Sequence, residues 1–168
     1  MLLAACGPGD VSTGPLIDGA AEVYACDVSQ SFANACRGNR PRWHVSVADV
    51  LNLPFLDGEF DVAAIYSSLH HISSSAEAVL LELSRVTRGR VVLLEGVVPE
   101  KGILRRLLLL WYSIVDGGVR YYTREEVLSI AARLGLEVER ATQHGPIAHM
   151  MFSVLRTPHF APQISMRS

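Results

Sequence analysis

A glycine-containing turn near the start of the chain, followed by an acidic residue, most constrains the fold. Residues 4–9 have the sequence AACGPG and residues 23–27 have the sequence VYACD. An apolar run that ends in closely spaced glycines predicts a strand and a turn whose backbone can approach a ligand closely. Asp27, roughly twenty positions later, can accept hydrogen bonds from ribose hydroxyls. The pattern indicates a nucleoside-binding domain, although two glycines alone more often serve only a tight turn.

The length and composition fit one globular domain with a sizeable core. The chain has 168 residues, of which 49% are hydrophobic and 19% are charged. The formal net charge is −2 and no basic run occurs, so we expect no nucleic-acid partner. Because no linker or shift in composition marks a boundary, we expect residues 1–168 to form a single domain with a helical insertion near 99–122.

The three cysteines indicate a reducing compartment. Cys6, Cys26 and Cys36 are too few for a secreted disulfide framework, and no Cys/His group has zinc-like spacing, so the sequence predicts no metal. Cys6 and Cys26 are expected near the ends of adjacent strands, where a disulfide is an alternative to two buried thiols. No signal peptide is evident, and the longest apolar stretch, around 107–115, is too short to span a bilayer. The prediction is a soluble, cytoplasmic protein.

Apolar, β-prone runs alternate with helical patterns along the chain. The runs that predict strands lie near 1–5, 22–27, 43–47, 60–66, 90–95, 136–142 and 149–156. This alternation predicts a mainly parallel, seven-stranded sheet with helices on both faces. The last two strands are joined only by residues 143–148, which are too few for a parallel crossover. They are therefore expected to form an antiparallel hairpin at the edge of the sheet.

Helix boundaries are indicated by capping residues. Ser74 and Glu77 predict a capping box that opens one helix, and Thr123 and Glu126 predict a second. Gly135 is expected to end the second helix. Gly-Pro at positions 14–15 predicts that the first helix is short or begins at Pro15. Met1 lies almost inside the first strand, so we expect either an open site or a truncated chain.

Four segments together resemble the class I S-adenosylmethionine-dependent methyltransferases. They are the glycine turn at 5–9, the DVS sequence at 27–29, the segment ADVLNLPF at 48–55 with DGEFDV at 57–62, and SSLHHI at 67–72. The segments at 81–86 and 89–95 and the terminal hairpin are similar to later parts of the same family. The resemblance covers nearly the whole chain and is nearest to the small-molecule branch of quinone-biosynthesis methyltransferases. It implies a three-layer, Rossmann-like α/β/α fold with an antiparallel last strand.

The resemblance implies a set of residues that bind S-adenosylmethionine. The glycine turn would place backbone amides beside the methionine portion, Asp27 would hold the ribose, and Asp49 would accept from the adenine amino group. Val28, Val50 and Leu51 would enclose the adenine ring, while a cap or core role is the alternative for Asp49 and Val28. The full predicted set is Ala5, Cys6, Gly7, Gly9, Asp27, Val28, Asp49, Val50 and Ser67.

The chain departs from the family pattern at its beginning. Leu3 stands where the family commonly has an acidic residue, and we expect the N-terminal extension that usually covers the cofactor to be missing. Both departures leave open a second function, a non-catalytic binding or partner subunit on the same fold. A nicotinamide-dependent oxidoreductase is a third interpretation, but it usually needs a third glycine and does not account for Asp49.

Methyl transfer from a sulfonium is an in-line displacement that gains rate from alignment in a dry pocket. A base is needed only if the acceptor loses a proton, and His70 or His71 could serve, although a histidine that only holds the loop is the alternative. Tyr112, Tyr121 and Tyr122 are weaker candidates.

A helix over residues 102–115 would carry apolar side chains on almost every side, so another surface must cover it. We expect it to lie over the carboxyl ends of strands four and five and to shape a pocket for a small apolar or aromatic acceptor. Burial within the domain, a membrane surface and a homodimer contact are its alternatives.

Overall fold

A seven-stranded sheet forms the centre of the computed structural model, which describes residues 1–10, 17, 19–73, 75–144 and 150–156. The strands are β1 (Leu2–Ala4), β2 (Tyr24–Asp27), β3 (His44–Val47), β4 (Phe60–Tyr66), β5 (Thr87–Gly96), β6 (Glu137–His144) and β7 (Met150–Arg156). Their spatial order is β3-β2-β1-β4-β5-β7-β6. The first five strands run parallel, and β7 is antiparallel to both β5 and β6. The predicted sheet is therefore confirmed.

Four α-helices accompany the sheet within the described residues. They are α1 (Gln30–Asn39), α2 (Ala76–Arg85), α3 (Ile103–Val115) and α4 (Arg124–Arg133), and a short 3₁₀ helix spans Leu69–His71. Two buried clusters lie on opposite faces of the sheet. The larger one joins Leu2 and Ala4 to α2 and α4, while the smaller joins Leu3 to Cys36 of α1. Successive residues of β1 thus point to opposite faces, as a strand covered on both sides requires.

Helix capping follows the sequence prediction at α4 and departs from it at α2. The capping box of α4 is present, with Thr123 and Glu126 each accepting from the backbone of the other. The predicted box at Ser74 and Glu77 is wrong: the N-cap of α2 is Ser75, which accepts from the Ala78 amide, and Ser74 itself lies outside the described residues. Three serines in a row, 73–75, offer the same capping chemistry, so the sequence pattern could not choose among them.

The terminal hairpin is antiparallel, as predicted. Val138 pairs with Leu155 and Ala141 with Ser153, with a register shift between Val138 and Arg140. The connection at 145–149 lies outside the described residues, as does the predicted start of the first helix near Pro15. Strand β5 begins at Thr87, before the predicted start near residue 90. Its backbone already pairs with β4 at Thr87, although the side chains of Thr87 and Arg88 are polar and did not suggest a strand. Among the described residues, no helix is both long and apolar enough to cross a lipid bilayer.

Candidate active site

The predicted cofactor residues cluster where the connections from the sheet change direction. The chain leaves β1 toward β2 on one side, whereas β4 lies on the other side of β1. The carboxyl ends of parallel strands at such a point form a crevice in which α/β proteins bind ligands. Residues 5–9 follow β1, Asp27 ends β2, and residues 67–71 follow β4. The fold therefore brings the three segments to one edge.

The turn after β1 has a strained backbone. Gly7 and Gly9 have φ of 54° and 65°, and Ala5 has φ of 50°, a left-handed conformation that is uncommon for a residue with a side chain. A Cβ atom on Gly9 would lie 2.7 Å from Cys36 Sγ, so that glycine is fixed by packing against α1. A Cβ on Gly7 would meet no atom within 4 Å. The turn is thus packed on its α1 side and open on the other.

Side chains at the end of α1 hold the outer part of this turn. Asn39 Nδ2 donates to the carbonyl oxygen of Pro8 at 2.8 Å. Arg40 Nε donates to the carbonyl oxygen of Gly9 at 2.9 Å, and its Nη2 donates to that of Asp10 at 2.8 Å. These bonds satisfy carbonyl groups that the turn cannot pair internally. Local sequence patterns do not indicate these bonds, because they link residues about thirty positions apart.

Asp27 connects the glycine turn to α1. Its Oδ2 accepts from the Gly7 amide at 2.9 Å and its Oδ1 accepts from the Ser29 amide at 2.8 Å. The residue is only 7% exposed. A carboxylate has about four acceptor positions, so two amide bonds leave capacity for hydroxyl donors. The geometry is compatible with the predicted ribose contact and adds a structural role that sequence patterns did not indicate.

The predicted adenine residues differ in their exposure. The Val28 side chain is 71% exposed, which excludes the alternative that it is a core residue. Val50 is 7% exposed and belongs to the core, so its side chain contributes little free surface. Asp49 is exposed, and its Oδ1 accepts from the Leu51 amide at 2.9 Å, as in a turn cap. Val28 and Asp49 are therefore available to a ligand, and the turn-cap role of Asp49 is also present.

An ion pair on α2 fixes the segment that follows Asp49. Glu82 accepts from the Leu53 amide at 2.8 Å and from Arg85, while Arg85 donates to the carbonyl oxygens of Leu53 and Phe55 and to Asp57. The hydrogen bonds from Arg85 hold the pKa of Glu82 below its usual value. This pair therefore holds the loop in place through direct hydrogen bonds. Both residues lie in the 81–86 segment that resembles the family, but the resemblance did not indicate these contacts.

A second strained residue stands opposite the first. Ser67 has φ of 45°, and its amide donates to the Leu94 carbonyl at 2.7 Å. Ser68 Oγ donates to the carbonyl oxygens of Tyr66 and Ala5, the latter at 3.3 Å. Among the described non-glycine residues, Ala5 and Ser67 are those with positive φ. Such strain is concentrated at functional sites, and here both residues follow neighbouring strands at the crevice.

His70 lies in a buried carboxylate network beside Ser67. Its Nδ1 is hydrogen-bonded to Oε1 of Glu95, a residue with no exposed surface. The other oxygen of Glu95 accepts from the Leu69 amide at 2.8 Å. His70 Nε2 lies 2.9 Å from Asp116 Oδ2 in an ion-pair contact that lacks hydrogen-bond geometry. Burial alone would lower the pKa of His70, but Glu95 and then Asp116 raise it above its usual value.

The aromatic residues around His70 form a stack that reaches α3. Tyr121 lies parallel to His70 at a centroid distance of 5.2 Å and to Tyr112 at 4.7 Å. Tyr121 Oη donates to Asp116 Oδ2 at 2.6 Å, and burial followed by this bond raises the pKa of Tyr121 to about 12. Tyr122 is fully buried. Sequence reasoning identified the histidines and tyrosines but missed Glu95 and Asp116, which are distant in the chain.

His71 differs from His70 in its accessibility. Its side chain is 45% exposed, and its Nε2 lies 3.7 Å from Asp116 Oδ1. The His70 side chain is 5% exposed and is held on both ring nitrogens by carboxylates. A bound acceptor could therefore reach His71 directly, whereas His70 would act through its neighbours.

Helix α3 lies at this end of the sheet, as predicted. Its C-terminal end is joined to the site by Asp116, and the backbone amides of Val119 and Arg120 donate to the His70 carbonyl. Leu108 is the one buried residue of α3. The alternative that the whole helix is buried within the domain is therefore excluded for the described residues. The exposed apolar side chains of this region are Ile103, Leu104, Leu107, Leu110, Trp111, Ile114, Val115 and Val119. We call these residues the α3 apolar face.

Two open cavities lie at the opposite end of the sheet. One, of about 620 Å³, is lined by residues that include Met1, Glu22 and Arg88, and the other, of about 740 Å³, by residues that include Arg42 and Trp43. These residues surround the amino-terminal ends of the strands. They do not include the predicted cofactor residues, so the cavities and the candidate site are separate.

The cysteines are free thiols. Cys6 is 4% exposed and packs beside Cys36, so only its backbone faces the crevice. Burial raises the pKa of Cys26 to about 12 and also raises the pKa of Cys6 and Cys36. The alternative of a Cys6–Cys26 disulfide is not present, and all three residues act as small core side chains. Leu3 is likewise fully buried in the same cluster.

The sheet order, the glycine turn and Asp27 together define a class I, Rossmann-like methyltransferase fold. A family model described as a methyltransferase domain matches residues 2–94, which is more than half of the chain. The chain belongs to this family of S-adenosylmethionine-dependent methyltransferase domains. The comparisons do not support the oxidoreductase interpretation.

Known proteins with related sequences and structures agree with this assignment. A demethylmenaquinone methyltransferase of Paenarthrobacter aurescens is 34% identical over 105 residues, covering 61% of this chain and 41% of the relative. Other curated demethylmenaquinone methyltransferases are matched over 41–50% of their length, so the chain spans about half or less of each.

Solved structures show the same fold at low sequence identity. A SAM-dependent methyltransferase of Methanosarcina mazei has a TM-score of 0.74 at 16% identity, covering 93% of this chain and 91% of that one. The magnesium protoporphyrin IX methyltransferase of Synechocystis, solved with bound SAH, has a TM-score of 0.72 at 17% identity and covers 94% and 73%.

Proposed function

We propose that this chain transfers the methyl group of S-adenosylmethionine to a small, apolar or aromatic acceptor in the cytoplasm. The observation that carries the proposal is the convergence of the strained turn, Asp27 and the 67–71 segment at one crevice. The family assignment supports the reaction type. The free, buried cysteines support a reducing compartment.

The residues of the crevice fit the chemistry of the cofactor. The open side of Gly7 leaves room for close approach to the backbone, and exposed Val28 offers an apolar surface for a flat ring. Asp27 retains acceptor capacity for ribose hydroxyls, and exposed Asp49 can accept from an amino group. The bound cofactor would supply an electrophilic methyl group on a sulfonium. The other residues of the predicted set would contribute to cofactor binding through their backbone and not their side chains: Ala5, Cys6, Gly9, Val50 and Ser67.

The chain's own contribution to the reaction would be alignment and exclusion of water. An in-line displacement requires the acceptor atom to be held opposite the departing sulfur, which binding geometry can supply without a covalent protein intermediate. If the acceptor must lose a proton, His71 is the more accessible imidazole and His70 the more strongly held one. We propose that His71 takes the proton and that Glu95 and His70 position the loop.

The acceptor proposal rests on the α3 apolar face and on the relatives. The face extends from the site along α3 and offers exposed leucines and Trp111 to an apolar molecule. The demethylmenaquinone methyltransferases support a quinol with an unmethylated ring carbon as the first acceptor to test. A net charge of −2 favours such a molecule over nucleic acid. A homodimer that covers part of the face is compatible with this proposal.

Ligand-dependent thermal melting tests the cofactor assignment. A ligand at 100 times its Kd stabilises the folded state by about 2.7 kcal/mol, which raises the Tm of a domain of this size by roughly 5–10 °C. S-adenosylmethionine and S-adenosylhomocysteine should produce such a shift, and NAD should not. Asp27→Asn should lose most of the shift, whereas Asp61→Asn, in an exposed pair with Arg88, should keep it. A larger shift with NAD would overturn the proposal.

Turnover separates an enzyme from a binding subunit. The purified chain is incubated with S-adenosylmethionine carrying a labelled methyl group and a reduced demethylmenaquinone with a short side chain. Label in the quinol is the expected result. Binding of S-adenosylhomocysteine without any labelled product from quinol, phenol or porphyrin acceptors would favour the non-catalytic subunit.

A further inference from the structure

We propose that His70, His71 and Asp116 form a binding site for a divalent transition-metal ion. The proposal concerns the side-chain cluster alone and does not depend on methyl transfer. Each of the three residues offers one ligand atom, and these atoms lie within 4.8 Å of one another. The sequence did not reveal the group, because Asp116 follows α3, far along the chain from the two histidines.

The distances between the ligand atoms suit one shared ion. Asp116 presents one oxygen to each histidine, with Oδ2 at 2.9 Å from His70 Nε2 and Oδ1 at 3.7 Å from His71 Nε2. With bonds of about 2.1 Å to a metal, two ligand atoms are separated by about 3.0 Å at a right angle and about 3.4 Å at a tetrahedral angle. An ion can therefore enter after small movements of an exposed carboxylate.

His70 Nε2 is a buried nitrogen aimed into the cluster. The residue is 4% exposed, and Nε2 lies 2.9 Å from Asp116 Oδ2 without hydrogen-bond geometry. When the neutral imidazole donates through Nδ1 to Glu95, Nε2 directs a lone pair at the Asp116 carboxylate, and two acceptors then face each other. A metal ion between these two atoms would bind both of them.

Outer partners already orient two of the three ligands. Glu95 holds His70 through Nδ1, which is the carboxylate–histidine arrangement found behind metal-binding histidines. Tyr121 Oη donates to Asp116 Oδ2 at 2.6 Å, and the Gly118 amide donates to Tyr121 Oη at 3.1 Å. A Cβ atom on Gly118 would clash with both Tyr121 and His70, so this packing requires a glycine. The cluster is thus pre-arranged and not a chance surface grouping.

The ligand types indicate the class of ion. Two imidazoles and one carboxylate favour Zn²⁺, Co²⁺, Fe²⁺ or Mn²⁺ over Mg²⁺ and Ca²⁺, which prefer oxygen ligands. His71 and Asp116 are exposed, so further coordination positions would face solvent. If the proposed methyl transfer is correct, those positions lie where the acceptor approaches, and an ion there could bind an acceptor oxygen. In the metal-loaded chain His71 would be a ligand, so the ion would take the place of His71 in promoting loss of the acceptor's proton.

Metal titration of the purified chain tests the site without any cofactor. The chain is stripped with a chelator, and Zn²⁺ binding is measured by calorimetry and Co²⁺ binding by its visible absorption. We expect one ion per chain, at least tenfold weaker binding in His71→Ala and Asp116→Asn, and a smaller weakening in Tyr121→Phe. His44→Gln is the matched control, because His44 is also exposed and also pairs with a carboxylate, Glu22.

Several outcomes would overturn the proposal. They are no Zn²⁺ binding at 100 times the protein concentration, binding that His71→Ala and Asp116→Asn leave unchanged, and binding that His44→Gln weakens equally. Because the His71 and Asp116 side chains are partly exposed, their variants should fold, and the Tm of each metal-free variant checks this. A chain that binds Zn²⁺ but transfers no methyl group would reject the proposed function and leave the metal site standing.

Discussion

At the residue scale, Gly7 and Gly9 share a backbone conformation but differ in what surrounds them. Placing an alanine in the left-handed region costs about 1–2 kcal/mol at either position. Gly9→Ala also forces Cβ against Cys36 Sγ, which adds about 1–3 kcal/mol, whereas Gly7→Ala meets no atom. We therefore expect Gly9→Ala to reduce the free energy of unfolding more, and Gly7→Ala to weaken S-adenosylhomocysteine binding at least tenfold.

Urea unfolding and ligand titration of the two variants measure these effects separately. Equal destabilisation of both variants would contradict the packing difference. Unchanged ligand affinity in Gly7→Ala would show that the open side of the turn is not the binding side.

Glu82 makes a second prediction at this scale, about acid stability. Its pKa is lowered by Arg85 in the folded state, so the unfolded chain, with a Glu pKa of about 4.3, takes up a proton first as the pH falls. The stabilisation is fully present above that value and is lost as the pH falls through the folded pKa. At pH 7, Glu82→Gln should cost about 1.5–3 kcal/mol, the usual worth of charged hydrogen bonds.

The difference in unfolding free energy between wild type and Glu82→Gln should shrink from pH 7 to pH 3. Asp61→Asn is the control, because its ion pair with Arg88 is exposed and should contribute little at any pH. A difference that stays constant with pH would show that Glu82 acts through its shape and not its charge.

The sequence predicted which residues belong to the site where a residue's chemistry and its local spacing both match the family pattern. Asp27 ends a strand at the family spacing, and the structure places it at the crevice as expected. Glu95 and Asp116 could not be assigned, because their importance arises only when β5 and the end of α3 meet His70 in space. The side chain of Val50 was predicted at the adenine ring and is mostly in the core, since a strand-end pattern does not say which face a residue takes.

At the element scale, α3 connects an exposed apolar surface to the site. Trp111 is 61% exposed, so Trp111→Ala should change the free energy of unfolding by no more than about 0.5 kcal/mol. If α3 forms one wall of the acceptor site, turnover of the quinol acceptor should fall about tenfold while S-adenosylhomocysteine affinity stays within twofold. Leu81→Ala, which removes a similarly exposed apolar side chain from α2, should leave both unchanged.

Loss of S-adenosylhomocysteine binding in Trp111→Ala at an unchanged Tm would contradict that role. A change from dimer to monomer in light scattering, with normal turnover, would instead show that the α3 apolar face is a contact between copies.

Helices and strands were predicted well where periodicity and capping agreed. The Thr123–Glu126 box marked the start of α4 because only one threonine fits the pattern, whereas three adjacent serines left the start of α2 uncertain by one position. The apolar periodicity of 102–115 predicted a helix but also suggested burial on most sides. The structure buries one residue of α3, because hydrophobicity predicts a preference for cover and not which surface supplies it.

At the scale of the whole molecule, the two ends of the sheet differ in chemistry. The carboxyl end combines backbone strain, Asp27 and the histidine cluster. The amino end has two open cavities, one of them lined by residues that include Glu22 and Arg88. Ligands of open α/β sheets bind outside the carboxyl ends of the strands, so cavity size is the weaker guide here.

Hydrogen exchange with and without S-adenosylhomocysteine distinguishes the two ends. Ligand binding should slow exchange of the amides in 5–9, 27–29 and 49–53, because these segments would be ordered and covered by the ligand. The β6–β7 pairing, at the far edge of the sheet, should exchange at an unchanged rate and serves as the internal control. Added protection around Glu22 and Trp43 instead would place the ligand at the amino end. That result would show that the strain at Ala5 and Ser67 serves the fold alone, because the crevice they border would then hold no ligand.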